Sequence, residues 1–116
     1  MITVVPTDRI YLCCGYTDMR NGIDGLARLV QQAFSLDPHT GAVFCFRGRK
    51  GHIIKVLAHD EQGFALFTKR LTDGRFVWPT ARDQVTVSLS KADLALLLEG
   101  IDWRAPQATY RPQIAG

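Results

Sequence analysis

The segment CFRGRKGHIIK, Cys45 to Lys55, sets five basic or imidazole side chains around Gly48 and Gly51, between two apolar runs. Arg47, Arg49, Lys50 and His52 would share the tip of a hairpin there. Lys69, Arg70 and Arg75 follow at the end of the next apolar run and in the turn after it. If these runs form an antiparallel meander, the strand start at Ile53 lies beside the strand end at Arg70, and both groups meet at one end of a sheet. Cations so gathered can hold the phosphates of a nucleic acid. Phe76 and Trp78, close by in sequence, can add the stacking or apolar contact that charge alone lacks. Lys and Arg also occupy hairpin tips and edge strands simply to keep them soluble and unpaired, so phosphate contact and plain solvation both stay open.

Other chemistries find fewer of the residues they need. A metal site wants several His, Cys or carboxylate ligands at workable spacing, and this chain offers His39, His52 and His59 with isolated cysteines and no CxxC or HExxH. His52 and His59 would point to opposite faces of a regular strand. Ser35, Ser88 and Ser90 lie outside any GxSxG elbow, and Cys13, Cys14 and Cys45 sit among apolar residues, which raise a thiol pKa. NGIDG and GRKG complete neither a P-loop nor a GxGxxG pattern; Gly22 and Gly25 are read as serving helix entry and packing, while a helix start preceded by Arg20 can still attract a phosphate. Two-metal phosphodiester chemistry needs converging carboxylates, whereas Asp18, Asp24, Asp60, Glu61, Asp73 and Asp83 fall mostly in turns or at a helix cap. No catalytic residue, metal or cofactor is expected.

Several elements must position the basic cluster. Ile10–Cys14 reads as a first strand. Ile23, Leu26, Ala27, Val30, Ala33 and Phe34 follow the spacing of an amphipathic helix near 22–34, with Asn21 as its N-cap, Asp24 in the first turn and Gly25 allowing close approach to a strand. Ala42–Phe46, Ile53–His59 and Phe64–Leu71 are strand-like runs separated by RGRKGH and DEQG, hence two hairpins. A four-residue loop Asp60–Gly63 would pair His59 with Phe64 and put Ile54, Val56, Ala58, Ala65 and Phe67 on one core face. Phe76–Pro79 is a candidate edge strand, since proline cannot serve a central ladder, and QVTVSL alternates as a further strand. Ser90 and Asp93 have capping-box spacing for a helix near 90–99, stopped by Gly100. The fold class is therefore α+β: a single domain over 1–104 with a mainly antiparallel β-meander of four to six strands and two principal helices, then a loose C-terminal tail at 105–116.

The totals fit that picture. With 116 residues, 47% hydrophobic and 22% charged, the chain is long enough for one core and too apolar for disorder. No apolar run approaches the roughly 20 residues of a membrane span, and Met1–Pro6 lacks the features of a secretory leader, so a cytoplasmic protein is expected. Three cysteines, two of them adjacent, argue for reduced thiols. The formal charge of +3 leans toward anionic partners, and seven of the fourteen Lys and Arg residues fall between Arg47 and Arg75.

Three ordered stretches, TDMRNGIDGLARLV, GAVFCFRGRKGHIIKVLAHDEQGFALFTKRLTDGRFVWP and LSKADLALLLEGIDWR, closely resemble the TnpB-type accessory protein of the IS-sixty-six family of bacterial insertion sequences, over about residues 8 to 104. The resemblance implies a role in transposition beside a separate, larger transposase that carries the acidic catalytic residues, and it supplies no catalytic residue of its own. Combined with the basic edge, it suggests a non-enzymatic accessory factor that contacts DNA through Arg47, Arg49, Lys50, Lys69, Arg70 and Arg75, with Arg20 secondary. The alternative is a module that docks on the transposase, or on itself, through apolar surface including Phe76, Trp78, Ile101 and Trp103. Trp103 in that reading is either a core lid or an exposed anchor.

Overall fold

The computed structural model describes residues 9–80 and 85–104. The expected tail at 105–116 and the first residue of QVTVSL, Gln84, lie outside them. In chain order the elements are β1 (Ile10–Tyr16), α1 (Ile23–Ala33), β2 (Val43–Arg47), β3 (Ile53–His59), β4 (Phe64–Arg70), β5 (Thr86–Leu89) and α2 (Lys91–Leu98). The strands form a five-stranded sheet ordered β4-β3-β2-β1-β5. The expected meander is β2-β3-β4, with His59 opposite Phe64 in the expected register. One pairing departs from it: β1 lies parallel to β2, and β5 closes the other side of β1 antiparallel. A parallel neighbour needs a long crossover, which the segment carrying α1 provides.

Strand alternation divides the sheet into two apolar faces. Val43, Cys45, Ile54 and Val56 point to one, where Leu94 and Leu97 of α2 and the buried Phe76 pack; Phe44, Phe46 and Leu57 point to the other, covered by Leu26 and Val30 of α1. The two helices therefore take opposite faces. β2 is central and covered on both sides, which explains its continuous apolar run. Ala65, expected in the core, is exposed, because β4 is an edge strand at which the helical cover ends.

The ends of the helices differ in how well their chemistry matches the sequence. Ser90 and Asp93 form the full capping box. After α2, Gly100 adopts φ 76° and donates to the Leu97 carbonyl at 3.0 Å, while Ile101 donates to Leu96 at 3.0 Å, the bond pair of a Schellman stop. At α1 the N-cap is Gly22 and no side chain among the described residues caps the helix, so Asn21 is displaced by one residue from its expected role. Its amide instead donates to the Asp18 carbonyl at 3.1 Å. A Cβ on Gly25 would collide with the Asn21 side-chain oxygen, so this glycine makes room for Asn21 and not for a strand.

Residues 75–80 are not a strand. Phe76 donates its backbone N–H to the Gly51 carbonyl at 3.0 Å and buries its ring in the core under one sheet face. Crossing that face keeps the segment off the sheet edge, which is why the expected edge strand at Phe76–Pro79 does not form. Among the described residues, no helix is long and apolar enough to cross a membrane.

Candidate nucleic-acid interface

The carboxyl ends of β1 and β2 meet the start of β3 at one end of the sheet. β1 carries an irregularity between Cys13 and Tyr16, with Gly15 at φ 101°, after which Tyr16 pairs with Arg47. That left-handed backbone is easy for glycine alone. Thr17 then donates to the Arg47 carbonyl at 2.9 Å, which holds the strand ends together. Two extra residues in β1 thus decide which ring stands beside Arg47.

The β2–β3 turn is closed by the Gly51 N–H donating to Gly48 at 3.2 Å. The Gly51 carbonyl accepts from both the Phe76 backbone at 3.0 Å and the Trp78 indole at 2.9 Å. Gly51 has φ 78°, and a Cβ there would lie 3.1 Å from the Trp78 nitrogen, 3.2 Å from an Arg47 nitrogen and 3.2 Å from the Arg75 Cδ. Gly51→Ala is therefore expected to cost about 1–2 kcal/mol from backbone strain alone, read as a lower denaturant midpoint with an unchanged m value. Gly48 is similarly close to Met19, so the 17–20 loop abuts the same turn.

Around this turn the cations find aromatic partners. The Arg47 guanidinium carbon is 4.9 Å from the Tyr16 ring centre and 5.1 Å from that of Trp78, and Arg49 is 5.0 Å from Tyr16. These distances suit cation–π attraction. Arg47 is half-buried and gives its Nε–H to the Gly48 carbonyl at 3.1 Å. Burial, followed by the nearby Arg75 charge, lowers its pKa from the ordinary value, opposed by Tyr16. Tyr16, Arg47, Trp78, Pro79 and Thr80 line a groove of about 330 Å³ whose floor is Leu12–Gly15.

The other expected contact residues scatter. Lys50 is exposed on the turn beside Arg49, and Arg75 is exposed across Gly51 from Arg47. Lys69 turns to the α2 face and donates to the Leu98 carbonyl at 2.6 Å, where a cation completes the C-terminal end of a helix. Arg70, one residue on, projects to the opposite face. Arg20 is held by Asp18 at 2.6 Å. Phe76 is only 3% exposed and belongs to the core. Trp103 donates its indole N–H to the Val77 carbonyl at 2.8 Å and packs on the core as a lid. Tyr16 is the participant that sequence reading missed; a glycine inside an apolar strand pattern, Gly15, was the available sign of a bulge.

The Asp18–Arg20 pair gives a testable pH response. Bonds from the Arg20 side chain and then its backbone hold the Asp18 carboxyl down at about 2. Because the folded value lies below the unfolded one, the pair's stabilisation is present above the ordinary carboxylate range and is lost as pH falls through about 2. Carboxyl NMR titration should place the Asp18 midpoint there, and Arg20→Ala should raise it toward the ordinary carboxylate value of about 3.9.

Cys13, Cys14 and Cys45 are buried. Burial raises the Cys13 thiol above its ordinary value and pushes Cys45 up to about 12, so both favour the protonated thiol at neutral pH. The His59 ring lies 4.6 Å from that of Phe64 and 5.1 Å from that of His39, at the end of the sheet away from the basic turn. Among the described residues, no three His, Cys, Asp or Glu side chains are grouped so as to hold a metal ion.

A family model described as "IS66 Orf2 like protein" matches residues 8–108. The protein y4hO of Sinorhizobium fredii is 50% identical over 108 residues, covering 93% of this chain and 93% of its own length. The protein y4jC of the same organism is 34% identical over 95 residues, or 82% of this chain and 80% of its own. No solved structure matches.

Proposed function

The chain belongs to the IS66 Orf2-like family, which implies an accessory role in transposition, and we propose that it fills this role in the cytoplasm, without catalysing strand chemistry, by binding DNA at the basic end of its sheet. The observation that supports this reading is the pairing state of the cations. Arg20 and Arg104 are neutralised by neighbouring aspartates, whereas Arg47, Arg49, Lys50 and Arg75 make no ion pair among the described residues. Four cations held near one turn without counter-charges repel one another, and an anionic partner relieves that repulsion. In this reading the strand chemistry belongs to the transposase of the same element, in keeping with carboxylates that fall mostly in turns or at helix ends.

A binding titration of the full chain against DNA carrying the element's ends, and against unrelated DNA, tests the reading. Affinity should fall steeply as salt rises from about 50 to 200 mM. Undetectable or salt-insensitive binding at the lower concentration would refute it. Docking on the transposase through Phe76, Trp78 and Trp103 has less support, because Phe76 is in the core and both indole N–H groups are bonded within the chain. Co-purification with the transposase in the absence of DNA would favour docking instead.

A further inference from the structure

Among the described residues, the large apolar side chains left exposed are Tyr16, at 59%, and Ile101, at 42%. Tyr16 stands among cations, with both Arg47 and Arg49 over its ring. An exposed tyrosine at this position is not needed for the core. Arg47 is unusual in the opposite way: it is half-buried, yet among the described residues it gives only its Nε–H to the protein. It lines the groove with Tyr16 and Trp78.

The groove volume of about 330 Å³ is at the small end of ligand sites. It suits one base with its sugar, not the width of a duplex. Aromatic rings and guanidinium planes are the groups on which an unstacked base lies flat, whatever its identity. A paired base has both faces covered in its own stack and cannot reach them. We propose that this end of the sheet takes single-stranded DNA, one unpaired base entering the groove against the Arg47 guanidinium, bordered by Tyr16 and Trp78–Thr80, while Arg49, Lys50 and Arg75 hold the flanking phosphates. The proposal rests on the DNA-binding reading above and specifies the form of DNA.

Fluorescence anisotropy with a labelled 12-nucleotide strand of mixed sequence, the same strand as a duplex, and an abasic strand of equal length tests it on the full chain. The natural strand should bind at least ~10-fold more tightly than the duplex and than the abasic strand. Tyr16→Ala should weaken strand binding by ~10-fold without changing the salt slope, since no phosphate contact is lost, and Tyr16→Phe should retain binding. Duplex or abasic DNA bound as tightly as the natural strand overturns the proposal while leaving DNA binding intact. Tyr16→Ala binding like the parent also overturns it. No binding to any of the three overturns both readings. Far-UV circular dichroism checks that the variants fold, which the exposure of Tyr16 favours.

Discussion

Phe46→Ala is expected to destabilise the protein by about 3–5 kcal/mol, the cost of deleting a fully buried aromatic ring and leaving a cavity. Phe46 is 0% exposed and lies on the central strand β2, packed with Leu26, Val30 and Leu57 beneath α1. Domains of this size are stable by only about 5–15 kcal/mol, so a large share of the total is removed. Each 1 kcal/mol lowers the melting temperature of a domain of about 100 residues by roughly 4–8 °C, and thermal unfolding followed by circular dichroism should show a fall above ~12 °C. A loss under ~1 kcal/mol would mean that α1 settles onto the sheet and refills the hole. Because Arg47 follows directly in the strand, this variant also asks how far the basic end depends on the core behind it.

The joint variant Arg49→Gln, Lys50→Gln and Arg75→Gln is expected to reduce the slope of log affinity against log salt by about two to three, each lost phosphate contact contributing ~0.7–0.9. At ~50 mM salt, DNA affinity should fall at least tenfold. All three side chains are exposed and have no ion pair among the described residues, so the fold should keep its stability to within about 0.5 kcal/mol. Retention of Arg47 in this variant separates phosphate attraction from the stacked guanidinium at the groove. An unchanged salt slope would place the DNA contacts elsewhere on the surface. Lys69 makes a useful contrast: its ammonium is committed to the Leu98 carbonyl, so its loss should lower stability more than it lowers DNA affinity.

Local signals in the sequence carried much of the fold. The Asp60–Gly63 loop set the β3–β4 register, and Ser90 with Asp93 marked the start of α2 to the residue. The parallel placement of β1 beside β2 was not legible, because no turn joins them and an apolar run does not state which distant strand it will pair with. The same limit governed the basic end. Arg47, Arg49, Lys50 and Arg75 were identifiable as a charged group from spacing, but Lys69 and Arg70 were assigned to it without allowance for alternation, which sends them to opposite faces. Phe76 and Trp78 looked equivalent as nearby aromatics. The path of residues 75–80 across the sheet buries one and sets the other beside Arg47. Tyr16 reached the site through a backbone irregularity, a feature of strand geometry that residue type alone signals only through Gly15.

The bond from Trp103 to the Val77 carbonyl bears on the order in which the basic end is assembled during synthesis. A ribosome releases residues from the amino end, so β1 through β4, with their cations, emerge before the indole that fastens the 75–80 segment across the sheet. β5, which completes the sheet beside β1, and α2, which covers that face, emerge just ahead of it. A nascent chain stalled before residue 103 would therefore carry the charges of the basic end without the finished clasp. Arrival of Trp103 fastens the segment that walls the groove to the core.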